Sequence, residues 1–156
     1  MINLKQLYII IEDVFKNHPE VNSVTRFDVK DYIGARDKTY MNANVRYVNS
    51  SVQNKYINHT FLVTLSDRLT PDGENELEIL STAQLIAEDL YTVLGASYDF
   101  TFQKSGTFIP FTESDGDRIA GIYFQVSIQV LRGQDLCVVP NNDLINLPQT
   151  LPIPFL

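Results

Sequence analysis

Hydrophobic and polar positions along this chain change period several times, and each change marks a predicted element. Leu4, Leu7, Tyr8, Ile11, Val14 and Phe15 recur three and four residues apart, which predicts one face of a helix. Asn3 is placed to cap it, and Asn17-His18-Pro19 ends it, since the residue before proline avoids helical angles. Val21 to Val29 is short and β-like. Lys30 to Asn44 is polar and irregular, the pattern of an exposed loop. Val45 to Val48 and Ile57 to Ser66 read as strands, with Asn49-Ser50-Ser51 as the turn after the first. In the second strand Phe61, Val63 and Leu65 share one face.

The longest helix is predicted to begin at Thr70-Pro71, with Thr70 as cap and proline in the first helical position. Glu74, Glu76 and Glu78 then sit where the helix dipole favours acids. Its apolar stripe is Leu77, Leu80, Ala83, Ile86, Ala87, Leu90, Val93 and Leu94, and Gly95 is its stop. Strands follow at Tyr98 to Lys104 and Thr107 to Phe111, joined near Ser105-Gly106. An Asp115-Gly116 turn then leads into a long alternating strand. There Ile122, Phe124, Val126, Ile128 and Val130 point one way, and Tyr123, Gln125, Ser127 and Gln129 the other. The second face is polar yet uncharged, which is unusual for a surface that meets only water.

The expected fold class is therefore α+β: a mostly antiparallel β-sheet covered on one face by two helices. Residues 1–140 read as one domain and 141–156 as an extended C-terminal arm. Three prolines between Leu147 and Leu156 exclude a helix there. The arm's apolar side chains, Leu147, Leu151, Ile153, Pro154, Phe155 and Leu156, call for a groove on this subunit or on a neighbour.

Composition narrows the partners. A chain of 156 residues can bury a core without a metal or disulfide staple. The formal net charge of -7, with scattered Lys and Arg, lacks the clustered basic footprint of a nucleic-acid binder. The lone Cys137 cannot form an internal disulfide, which fits a reducing compartment, and it reads as a small buried hydrophobe. No apolar run reaches membrane-span length and the N-terminus does not read as a signal peptide. A soluble protein, intracellular when made, is expected.

Candidate chemistry is sparse. His18 and His59 have no Cys or acidic partner at metal-ligand spacing and read as surface or capping histidines. Glu113, Asp115 and Asp117 cluster, but not at the spacing of a calcium loop, and read as solvated turn acids. There is no phosphate loop or nucleophile elbow. No catalytic residue, metal or cofactor is expected, and the chain reads as a non-enzyme.

Phe108-Ile109-Pro110-Phe111, then Asp117-Arg118-Ile119-Ala120-Gly121-Ile122-Tyr123-Phe124, then alternation to Cys137 and Pro140, form a recognisable segment. With the helix–strands–helix–hairpin order, it resembles the neck and tail-completion (tail terminator-like) proteins of tailed bacteriophages, particularly the crAss-like group. Residues 30–44 have no counterpart in that pattern. The resemblance implies a structural virion protein, a homo-oligomeric ring in the head–tail connector or tail that contacts neighbouring neck, tail or portal-proximal proteins. It also implies assembly in the host cytoplasm and no sequence-specific nucleic acid. An acidic ring would let DNA pass through its lumen with weak phosphate contact. The expected interface is Tyr123, Gln125, Ser127 and Gln129 on the sheet, with the six arm residues named above. The alternative is a soluble peptide- or ligand-binding module whose C-terminal tail docks on itself.

Overall fold

Asn3 opens helix α1 (Leu4–Lys16) with a reciprocal capping box. The Gln6 amide donates to Asn3 Oδ1 at 2.9 Å, and the Asn3 amide donates to Gln6 Oε1 at 2.8 Å. The computed structural model describes residues 2–26, 40–113 and 118–132. The arm residues Leu147, Leu151, Ile153, Pro154, Phe155 and Leu156 lie outside them, as do residues 30–39, Asp115, Gly116, Asp117, Cys137 and Pro140.

After α1 the elements are β1 (Ser23–Thr25), β2 (Asn42–Val52), β3 (Tyr56–Arg68), helix α2 (Glu76–Gly95), β4 (Thr101–Phe102), β5 (Ile109–Glu113) and β6 (Ile119–Leu131). The six strands form one mixed sheet in the order β1-β2-β3-β6-β4, and β5 also pairs with β6. Only β1 with β2 is parallel; the other pairs are antiparallel. The fold class is α+β.

Both helices pack on one face of this sheet. The rows Val45–Val63–Phe124 and Ala43–Leu65–Ile122 run across β2, β3 and β6 and are buried. Leu7, Ile11 and Phe15 of α1 and Ile79, Ala83, Ile86, Ala87, Leu90 and Leu94 of α2 close over them. Burying a side chain as large as Phe61 or Phe124 contributes about 2–3 kcal/mol. The Tyr8 ring meets Phe61 edge-on at 5.5 Å, and Tyr91 meets Phe102 at 4.9 Å.

Five sequence expectations are corrected here. The exposed loop expected from Lys30 to Asn44 gives way at Asn42, because Asn42 to Asn44 pair with β3 and are buried. Asn49-Ser50-Ser51 is not a turn but continues β2, because cross-strand pairing with Asn58, His59 and Thr60 carries the ladder onward. The reversal falls at Gln53–Lys55, closed by the Gln53 amide donating to the Tyr56 carbonyl at 2.8 Å. Thr70 does not cap α2, which starts at Glu76. Thr70 to Gly73 is instead a turn in which Gly73 takes φ +72 and donates to the Thr70 carbonyl at 2.9 Å. The Asp72 carboxylate accepts from the Thr70 hydroxyl at 2.6 Å, and that bond holds it below the usual carboxylate range. In α2, Leu77 and Val93 face solvent and Ile79 is buried in their stead. The strand expected from Tyr98 to Lys104 contracts to Thr101–Phe102.

Glu12 is buried on the inner side of α1 and is matched by Arg26, just beyond β1. Arg26 Nε donates to Glu12 Oε2 at 2.8 Å and its Nη2 donates to Oε1, a bidentate pair. The same guanidinium lies 4.7 Å over the Tyr8 ring, whose hydroxyl donates to the Val45 carbonyl. One cluster thus fastens helix, parallel edge strand and sheet.

Gly121 of β6 has no room for a side chain. A Cβ there would stand 1.8 Å from the Leu65 carbonyl oxygen and 2.8 Å from Ser66 Cα, both backbone atoms. Gly121→Ala must therefore push β3 and β6 apart, and the expected cost is about 3 kcal/mol or more. Urea denaturation followed by circular dichroism would register it, and a midpoint equal to that of the parent chain would refute the close-packing argument.

Candidate functional site

The face of the sheet away from the helices is built by strand alternation. Tyr123 stands beside Thr64 and Asn44, Gln125 beside Leu62 and Arg46, Ser127 beside Thr60, and Gln129 beside Asn58. Tyr123 and Gln125 are exposed, Ser127 and Gln129 half-buried. All four sequence-predicted sheet residues therefore lie in one row on one strand, pointing away from the core. The β3 neighbours Leu62, Thr60 and Asn58 complete the surface. They belong to the set left over once Phe61, Val63 and Leu65 are assigned inward, so the alternation of β3 already marks them.

This face is closed at one end and open at the other. At the closed end Asn42, Asn44, Ser66 and Gly121 are buried. Asn42 Nδ2 donates to Ser23 Oγ at 2.7 Å, and the Thr25 hydroxyl donates to Asn44 Oδ1 at 2.8 Å. Beside the open part lies a cleft of about 320 Å³ lined by Leu62, Gln103, Ser105, Tyr123, Gln125 and Ser127 among others. It forms where β4 and β5 separate along β6: β4 pairs at Ile128 and Gln129, whereas β5 pairs from Tyr123 back to Ile119. Among the described residues the lining is amide, hydroxyl and apolar, with no acid or base. The Tyr91 hydroxyl reaches the Gln125 carbonyl at 3.5 Å in that gap, and burial pushes the Tyr91 phenol above its ordinary pKa.

The two histidines differ in their surroundings. His18 Nδ1 accepts from the Glu20 amide at 3.1 Å, which leaves Nε2 to donate to Asp89 Oδ2 at 2.7 Å. Its acidic partner lies 71 residues away in sequence, not at metal-ligand spacing, and the pair ties the end of α1 to α2. His59 is not a surface residue: it is 7% exposed. The ladder slips between Tyr47 and Asn49, and this slip places Ser50 opposite His59. Ser50 Oγ then lies 2.6 Å from His59 Nδ1 and 2.6 Å from the Tyr47 hydroxyl. Sequence reading missed this chain because the bulge that creates it leaves no local residue signal.

A serine beside a histidine invites comparison with a nucleophile and its base, which also requires a group to orient the histidine. Among the described residues no carboxylate pairs with His59, and burial is the cause of its lowered pKa. The three side chains form a neutral relay at the root of the β2–β3 hairpin. Glu113 is described, but Asp115 and Asp117 are not, so the acidic turn cluster lies partly outside the described residues. Among the described residues no group of three or more His, Cys, Asp or Glu could hold a metal. No helix among them is long and apolar enough to cross a membrane.

The chain matches no protein-family model and has no significant match among curated proteins. The class that its architecture defines is an α+β fold with two helices on one face of a mixed six-stranded sheet.

Burial holds the His59 imidazole below its ordinary pKa of about 6.5, so the unfolded chain binds more protons at mildly acidic pH. His59's contribution is harmless above that value and becomes destabilising as pH falls through it toward the folded pKa. The denaturation midpoint is expected to fall between about pH 7.5 and about pH 5, and His59→Gln should flatten that fall. Equal pH slopes in the two chains would count against the assignment.

Proposed function

We propose that this chain is a structural subunit that self-assembles through the open face of its sheet, as a ring in the neck or tail of a tailed phage. The observation that carries the self-assembly reading is the uncharged row Tyr123, Gln125, Ser127 and Gln129. Desolvating neutral amides and hydroxyls costs far less than desolvating charges, so such a face can be covered by a partner at modest penalty. The C-terminal arm residues Leu147 to Leu156 supply apolar chain able to join adjacent subunits in the same assembly. The placement in a phage neck rests on the segment from Phe108 to Pro140 and on element order. A ring of net acidic subunits suits passage of DNA.

The cleft between β4 and β5 favours a second reading, a binding module for an uncharged ligand or peptide. The two differ in a simple measurement. The ring reading expects a multimer by light scattering and the presence of the chain in purified particles; a monomer absent from particles supports the binding module.

Tyr123→Glu combined with Gln125→Glu places charge in the centre of the proposed contact and is expected to shift the chain toward monomer, with its circular dichroism unchanged. Deletion of residues after Asp143 should also weaken assembly while leaving the fold. Multimers of unchanged size in both variants would sink the proposed interface.

A further inference from the structure

Two exposed apolar patches lie on opposite layers of the fold, and they differ in charge. The first is the far end of the open sheet face. Tyr56 of β3 stands opposite Leu131 of β6. Tyr56 is 40% and Leu131 62% exposed. Lys55 sits in the turn between β2 and β3 and is exposed. Arg132 Nη1 donates to the Gln53 and Asn54 carbonyls at 3.0 and 3.3 Å, bonds that fix the guanidinium without neutralising it. The sequence holds no Asp or Glu from Asn42 to Ser66, nor from Ile119 to Arg132. This end of the sheet is apolar and basic.

The second patch is the outer face of α2. Leu77, Ser81, Leu85, Glu88 and Thr92 follow at four- and three-residue steps, and all are exposed. Leu77 is 78% and Leu85 60% exposed, an unusual display on a helix whose other face already fills the core. Glu78 borders them. From Leu69 to Gln103 the chain carries seven acidic residues and no Lys or Arg. This face is apolar and acidic.

We propose that the hairpin tip of one copy docks on the outer face of α2 of a second copy. Tyr56 and Leu131 meet Leu77 and Leu85, while Lys55 and Arg132 face Glu78 and Glu88. The inference rests on the self-assembly reading and gives it a definite partner surface. Charge selects this pairing over the others: tip against tip opposes basic groups, and α2 against α2 opposes acidic ones. Because the two patches differ, the contact is heterologous and joins copies head to tail. Such contacts close into a ring or continue as a filament, whereas a two-fold dimer would use one patch twice.

The test uses the full chain and sedimentation velocity over a concentration series, with circular dichroism as the check on folding. Lys55→Glu alone, and Glu78→Lys with Glu88→Lys, are each expected to weaken association about tenfold. Mixing the two variants restores opposite charge at every contact between unlike copies and should recover much of the assembly. Raised salt should weaken association of the parent chain. If the parent assembles, and Tyr123→Glu disrupts it while these reversals do not, the tip-to-α2 contact is wrong and self-assembly stands. If the reversals weaken association but the mixture recovers nothing, the proposed pairing is also wrong. A parent chain that stays monomeric at every concentration overturns both readings.

Discussion

The pairing of β3 with β6 is the constraint on which the rest of the structure depends. It runs without a slip from Tyr56–Leu131 to Arg68–Ile119. Because side chains alternate with period two, one unbroken register fixes every inward and outward position on both strands at once. It sets Phe61 beside Val126, Val63 beside Phe124 and Leu65 beside Ile122 as the floor on which both helices rest. The same register commits Tyr123, Gln125, Ser127 and Gln129 to the other side. At Gly121 a Cβ would collide with the Leu65 carbonyl, so the local backbone spacing depends on an absent side chain.

β2 follows this frame only part of the way. It keeps step with β3 from Asn42 to Tyr47, then slips at Val48. The slip reverses which β2 residues face the helix side, and so brings Ser50 to His59. Beyond it the hairpin projects past the helices, which is why Val52 is exposed. A bulge of this kind re-aims side chains at the rim of a sheet. Here it separates the part of β2 that belongs to the core from the part available to another molecule.

The legible and illegible parts of the sequence divide along the same physical line. Strict alternation in β6 and in Phe61, Val63 and Leu65 was readable because both strands bury one face against helices. The capping of α1 by Asn3 was readable because a cap is a local hydrogen bond. Asn49-Ser50-Ser51 misled because turn composition was outweighed by cross-strand partners remote in sequence. Thr70-Pro71 misled because its residues are also good turn formers, and the Asp72 carboxylate is satisfied by the Thr70 hydroxyl and the Glu74 amide. Glu12 with Arg26, and His18 with Asp89, could not be read at all: each joins elements that only folding brings together. Of the candidate interface, the β6 row was legible and its tip was not, since only the β3–β6 register brings Tyr56 opposite Leu131.

Helix α2 carries the corresponding lesson for assembly. A helix that covers a sheet needs apolar side chains on one face only, and Ile79, Ala83, Ile86, Ala87, Leu90 and Leu94 meet that need. Leu77 and Leu85 on the other side add nothing to the fold, and exposing them costs solubility unless a partner covers them. The exposed acids beside them, Glu78 and Glu88, make that face negative and bias what can approach. On the sheet, the uncharged row does the converse: it avoids a large desolvation penalty, and the tip adds Lys55 and Arg132 at its border. In the assembly proposed above, a neutral-to-basic sheet face and an acidic α2 face would favour contact face to opposite face between copies, a geometry that would repeat.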